Sequence, residues 1–472
     1  MGYRHFMLSI MAFTLVLSGL SANAQPILPN SPITAASDST AAQGEQSEKL
    51  TLDGAVDSAM RNHPLIRAAA SGREIVDAQL SEAQAGHWPL FQFSEIFTHS
   101  NNPVFVFGSL LEQSRFGPQN FNIDSLNSPS SLSNFRSALI VRMPIFNQLE
   151  TDTKVAQARI GQEQAEKQQD QVKQQVRLEV IRNYYGVLVA EGKRDVAAEA
   201  VKMAEAEVGQ IRDFFETGLV VQSDLLAAEV QLSEFRQQEI QAAGEVITMY
   251  AALNTALGLP IHTPQKVAGR LAEKKFDVPG VEDLVQSALT YRPDYTRANL
   301  TVRSTEKKVR GAWGQYLPKV DVFSTYGMSS RDLASGSSDY AIGAGLTYNI
   351  FDNSRSAKLD HARAAQSMAL AEQEYLSNQI RLEVVRAYQQ YISVRKRLNL
   401  AAEVVAQAQE ALRIVQDRYR EGLTTITEVL RAQTAFVRTR QNLLGARYDY
   451  YLSYAQILIV CGRLTDVHPF VS

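Results

Sequence analysis

One long pattern occurs twice in this chain, and each copy places a hairpin-like, period-two stretch between very long helical tracts. Pro64 aligns with Pro293 and Pro89 with Pro318, at one offset of 229 (293−64 and 318−89). Ala59 meets Ala288 and Ala83 meets Ala312. Further on, "VRMPIFN" (141–147) meets "LTYNIFD" (346–352), and "RLEVIRNYY" (177–185) meets "RLEVVRAYQ" (381–389). Gly218 then meets Gly422, Asp224 meets Glu428, and Gly258 meets Gly462. A register that holds with one main slip, inside the hairpin loop, marks a duplicated unit. The two units are 49–259 and 281–463, joined by a proline-bearing connector at 260–280 and followed by a tail at 464–472.

The N-terminus reads as a secretory signal over residues 1–24. Arg4 and His5 give a basic start, Phe6–Leu20 is apolar, and Ala22-Asn23-Ala24 is an A-x-A cleavage site. Residues 25–48 read as a flexible leader rich in Pro, Ser, Thr, Ala and Gln. Past the signal, no stretch reaches the ~20 uncharged apolar residues of a spanning helix. An exported chain of this kind is either soluble or enters a membrane as a β-barrel, the other structure that satisfies every backbone group in lipid. The single cysteine, Cys461, excludes an intramolecular disulfide and sits in an apolar run. With 47 basic and 50 acidic residues, net charge −3, there is no footprint for nucleic-acid binding.

The hairpins are expected at about 90–145 and 320–350. In the second, Tyr340, Ile342, Ala344, Leu346 and Tyr348 share one face, while Ala341, Gly343, Gly345 and Thr347 share the other. An apolar outer face over a small or polar inner face is the pattern of a transmembrane barrel. A half-buried strand of a soluble sheet has the same alternation. On the barrel reading Tyr340, Ile342, Leu346 and Tyr348 face lipid. Residues 98–134 read as a long loop.

The helical tracts are uncommonly long. Residues 51–86 read as a helix opened by Thr51 or Asp53, and Glu150–Thr217 contains no proline. Val172, Val176, Val180, Tyr184 and Leu188 recur at four-residue spacing, as do Ile380, Val384, Tyr388 and Ile392. Such stripes call for partner helices, whatever the function. Each long tract stops at a glycine, Gly218 in "FETGLVVQSDLL" (215–226) and Gly422 in "YREGLTTITEVL" (419–430). Two hairpins supply four strands, too few to close a barrel whose smallest examples have about eight. Several chains must then share one barrel, and three would supply twelve.

No nucleotide-binding, metal-binding or hydrolytic motif is present, and the seven histidines are scattered without ligand spacing. The sequence therefore predicts no enzyme, no cofactor and no metal.

With these features assembled, the chain resembles the TolC-like outer-membrane efflux protein family over essentially all of 50–463. The resemblance is carried by Asn62-His63-Pro64 and Tyr291-Arg292-Pro293, by the strand exits "MPIFN" and "YNIFD", and by the two tips. It implies a homotrimer with a twelve-stranded barrel in outer-membrane lipid and a long helical tunnel in the periplasm. It also implies two partners, a periplasmic adaptor (membrane fusion) protein and an inner-membrane pump. The family closes its periplasmic entrance at the tips, which by resemblance makes Asp224, Glu428 and Tyr419 gate candidates. Gly218, Leu219, Gly422 and Leu423 become candidates for adaptor contact. Some members carry an arginine two positions after the second tip glycine and a further acid beyond the first. Here those positions are Thr424 and Arg431, departures from that lock. Thr425-Ile426-Thr427-Glu428 also fits a capping box, and Asp224 suits a helix N-terminus, so both acids equally serve as helix starters. The reading is a passive exit duct of a tripartite efflux system. A type I protein-secretion duct has the same fold, and a soluble periplasmic coiled-coil scaffold is the alternative from another class.

Overall fold

The computed structural model describes residues 49–471, apart from Glu273 and Ala334. The expected signal segment and leader lie outside the described residues. Helix α1 (Leu52–Asn62) starts where Thr51 Oγ1 accepts the amide of Gly54 at 3.2 Å. The tract 51–86, expected as one helix, is two, because α2 begins afresh at Pro64 and runs to Ala85. The ring of Pro64 pushes His63 out of the helical region, to ψ 129°, and supplies no amide hydrogen to continue the ladder. The second unit repeats the break. Helix α7 (Val281–Tyr291) and α8 (Pro293–Gly314) meet at Arg292, whose ψ is 124°.

Strand β1 (Leu90–Ser100) follows α2, and β2 (Leu132–Asn147) leads into the 67-residue helix α5 (Glu150–Glu216). Between the strands, the expected loop 98–134 is largely structured. It holds α3 (Pro103–Glu112), a 3-10 turn at 118–121 and α4 (Ile123–Asn127). Asn102 caps α3 by accepting the amide of Phe105 at 3.1 Å, and Pro103 sits at its first position. Helix α6 (Gln222–Ala256) completes the first unit. The second supplies β3 (Lys319–Asp332), β4 (Ser335–Thr347), the 67-residue α9 (Ser354–Arg420) and α10 (Ile426–Val460). At ~1.5 Å per residue, α5 and α9 are each about 100 Å long. No helix among the described residues is long and apolar enough to cross a membrane.

The shorter helices run beside the long ones. On the sheet side the contacts are α2–α5, α5–α8 and α8–α9; towards the far end they become α6–α5, α5–α10 and α10–α9. Helix α6 therefore ends against the start of α2, and α10 against the start of α8. Both joints need glycine. A Cβ on Gly258 would lie 2.7 Å from the carbonyl of Asn62, and one on Gly462 would lie 2.6 Å from the carbonyl oxygen of Tyr291. Both glycines also have positive φ, 71° and 69°.

The four strands form one antiparallel sheet in the order β1-β2-β3-β4. Its register aligns apolar residues into rows. Phe93 pairs with Leu139, Leu139 with Tyr326, and Tyr326 with Tyr340; Phe91, Val141, Ser324 and Ile342 make the next row. Val320 and Leu346 close the series. On the opposite face Phe323 pairs with Gly343, and a Cβ at Gly343 would meet that ring at 2.6 Å. Tyr348, expected within the strand, lies just past its end, where the Arg355 guanidinium sits 5.7 Å over its ring. The chain turns there towards α9, so period two ceases.

The main core surrounds the helix joints. Val176, Val180 and Tyr184 of one stripe and Ile380 and Val384 of the other are buried in it, with Tyr391, Tyr450 and Tyr451. Tyrosine hydroxyls pin the connector across the helices. Tyr184 donates to the carbonyl of Ala268 at 2.7 Å, and Tyr391 to that of Phe276 at 2.9 Å. Leu464, Val467 and Phe470, beyond α10, are buried in the same core. Cys461 is buried there too, and desolvation raises its thiol to about 11.

Candidate functional site

The two hairpin tips lie a full helix length from the sheet. Each stops its long helix in the same way. Gly218 donates to Phe215 O at 3.0 Å and Leu219 to Phe214 O at 2.8 Å; Gly422 donates to Tyr419 O at 2.9 Å and Leu423 to Arg418 O at 2.8 Å. This double bond pattern is a Schellman stop, and it needs the left-handed backbone that both glycines adopt, with φ of 75° and 74°. The turns leave Leu219 and Leu423 at the extreme ends, 73% and 62% exposed. Beneath them a second apolar cluster joins all four helices, with Val208, Ile211, Phe235, Ile426 and Val429.

The expected capping box does not form. The Thr425 side chain makes no cap bond at the start of α10, and the Glu428 amide instead finds the backbone carbonyl of Thr425 at 3.2 Å. The Glu428 carboxylate pairs with Arg431, one turn on, at 2.9 Å. Both members are largely exposed, so the pair contributes little to stability.

Asp224 and Tyr419 come together, and with them comes a group that sequence reasoning missed. Glu207, on α5, is only 9% exposed. Burial raises its carboxyl above the usual range, against the opposing pull of Arg420 and a hydrogen bond with Gln416. Tyr419 is raised first by burial and then by the negative charges of Asp224 and Glu207. Its hydroxyl is buried without a hydrogen-bond partner among the described residues. Gln433, wholly buried between Val429 and Val437, has both amide atoms unpaired. The signal for Glu207 was present in the sequence, as an acid set within the stripe Ala200, Ala204, Val208 and Ile211.

The tips therefore combine exposed apolar ends, a partly buried Tyr419–Asp224–Glu207 cluster, and an exposed acid, Glu428, paired with Arg431. At the other end, Tyr340, Ile342 and Leu346 are 77%, 74% and 70% exposed, an apolar strand face that nothing among the described residues covers.

Comparison with known proteins agrees with this architecture. The family model described as outer membrane efflux protein matches residues 55–259 and 284–463. Outer membrane protein TolC of Vibrio cholerae is 26% identical over 321 residues, covering 64% of this chain and 71% of that protein. Outer membrane protein TolC of Escherichia coli is 23% identical over 425 residues, covering 86% and 80%. The crystal structure of the Campylobacter jejuni CmeC outer membrane channel superimposes with a TM-score of 0.73 at 18% identity, covering 93% of this chain and 95% of that one.

Proposed function

We infer the working assembly from a plain premise: this chain belongs to the outer membrane efflux protein family and is an efflux channel of the outer membrane. The inference is that three copies share one barrel, each adding four strands, and that their helical hairpins close into a tunnel projecting into the periplasm. The observation that carries it is the sheet. Its strands align one apolar face, and it ends in two unpaired edges, β1 and β4. Such edges are not left open in lipid, where every backbone group must be paired.

On this reading Tyr340, Ile342 and Leu346 meet lipid, and the face bearing Gly343 and Thr325 lines the lumen. The energy for export comes from an inner-membrane pump, handed on through a periplasmic adaptor; this chain is the passive duct. Leu219 and Leu423, with the turns made by Gly218 and Gly422, are the surface offered to the adaptor. Asp224, Glu207 and Tyr419 form the constriction at the tunnel's tip. Glu428 adds a second ring of charge, tempered by Arg431. Carboxylates converging on an axis between low-dielectric walls favour cations.

Crosslinking in native membranes tests the assembly. A species of three chains is expected. A monodisperse monomer that conducts in bilayers would sink it.

A further inference from the structure

The segment between β1 and β2 is far longer than a hairpin turn, and its attachment to the sheet is one-sided. Gln113 Nε2 donates to Asn134 Oδ1 at 2.8 Å. Ser329 Oγ donates to Glu112 Oε2 at 3.0 Å, and Arg136 reaches Glu112 at 3.4 Å and Asp339 at 3.0 Å. Ser114 Oγ lies 2.9 Å from Ser337 Oγ. In the register Arg136 pairs with Ser329, and Ser329 with Ser337. Asn134 precedes Arg136 by two residues and Asp339 follows Ser337 by two, so all five share one face. That face is opposite to Leu139, Tyr326, Tyr340 and Ile342. Helix α3 is therefore clamped over the inner side of the sheet.

The helix face against the sheet is buried, while the Glu112–Arg136–Asp339 ion pairs at its end stay partly exposed. Val106, Ser109 and Gln113 turn towards the sheet and are 7%, 4% and 7% exposed. The other side of α3 is apolar and uncovered, with Val104 79% and Leu111 50% exposed. Phe121 and Ile123, just beyond, are 68% and 72% exposed. Phe107, Phe116 and Phe121 meet edge to face, at 4.9 and 5.1 Å between centroids, which ties the 3-10 turn to the helix. On the shared-barrel reading this apolar helix face, held by polar anchors, stands inside a water-filled mouth with no cover among the described residues of its own chain. The same face from the two other copies is the cover that a shared barrel provides.

We propose that α3 and the turn behind it form a hydrophobic gate at the outer mouth of the channel, where the Val104–Leu111 faces of three copies meet near the axis. An apolar constriction of this kind closes by expelling water, without needing a charge or a covalent change. The Glu112–Arg136–Asp339 clamp sets the gate's position, and the width left open sets which cargo leaves. The proposal rests on the shared barrel and face assignment given above.

Labelling of intact cells from outside tests it, with the full-length protein and a membrane-impermeant methanethiosulfonate reagent. Thr325→Cys reports the lumen below the gate and Ile342→Cys the opposite face. The native Cys461 is buried and silent. Adding Val104→Gln and Leu111→Gln should speed the labelling of Thr325→Cys at least tenfold and leave Ile342→Cys unreactive. If Thr325→Cys reacts equally fast in both backgrounds, the faces stand and the gate is overturned. If Thr325→Cys stays silent in both, the gate is overturned as well. In that case a reactive Ile342→Cys shows the faces reversed and takes the barrel reading with it.

Discussion

An arginine placed at Ile342 measures the face assignment most directly. Ile342 lies near the middle of β4, between Tyr340 and Leu346 on its apolar face, so the barrel reading puts it near mid-bilayer. Its side chain is 74% exposed within the chain, so arginine there meets no clash and the cost is one of solvation. Near the middle of a bilayer that cost is about 2–4 kcal/mol per lipid-facing arginine, falling to about 0–1 kcal/mol at the rim. Leu346, in the outermost row, should therefore tolerate arginine better than Ile342. Ala341, one residue away and on the other face beside Thr325, should tolerate it with little loss. Since about 1.4 kcal/mol is a factor of ten, Ile342→Arg should shift the folding equilibrium of each chain by roughly 30-fold to several hundred-fold. Urea titration of the protein refolded into phospholipid bilayers reads this shift. Equal cost at Ile342 and Ala341 would refute the argument, because arginine on a lumen face keeps its water.

Gly258→Ala should destabilise the helix joint by about 2–5 kcal/mol, from the left-handed backbone and the close carbonyl of Asn62 together; thermal unfolding in detergent checks it, and an unchanged midpoint would show that the joint relaxes. Glu207 has a carboxyl raised in the folded chain, so its contribution to the tip is fully present below the unfolded carboxylate range and is lost as pH rises through the raised folded value. Glu207→Gln should therefore slow hydrogen exchange around the tip at neutral pH and flatten its dependence on mild acid; a variant that exchanges like the parent at both pH values would rule this out. Tyr419→Phe removes a buried hydroxyl that has no partner, so hairpin stability should stay the same or rise by up to about 1 kcal/mol; a larger loss would show that assembly supplies a partner. Glu428→Gln should lower cation preference in single-channel recordings, and unchanged selectivity would remove Glu428 from the conduction path.

The periodic features were legible in the sequence because they are local and repeated. The stripe through Val176, Val180 and Tyr184, the stops at Gly218 and Gly422, and the alternation of Tyr340, Ile342 and Leu346 each follow from one residue type recurring at one spacing. What was missed depends on competition between signals. The helix break at His63–Pro64 is hard to see in the sequence because a proline is tolerated in the first turn of a helix, and Pro64 starts α2 there. Segment 98–134 looked like a loop because its turn residues hide the short helix that Asn102 and Pro103 start. Thr425 and Glu428 spelled a capping box, but Arg431, three residues beyond Glu428, draws the carboxylate away. Glu207 was passed over as one more glutamate on a charged helix. Its importance lies in the helices that bury it, and a single sequence does not align those.

The sheet's two free edges have a consequence for how many chains assemble. An edge that pairs with the other edge of an identical copy is a head-to-tail contact, and such contacts either close into a ring or continue as a filament. The hydrogen bonds along β1 and β4 are indifferent to that choice, because each new copy offers the same edge as the last. Curvature decides it. On the inner face, Gly327, Gly343 and Gly345 leave room for the cross-strand side chains of Arg136, Phe323 and Asp321 to lie close against the sheet, so that face can close up more tightly than the outer one. Fill those positions and a flatter arc would have to recruit more copies before meeting itself, or never meet itself. On the shared-barrel reading, the number of copies in the ring should therefore respond to side chains added at these three positions.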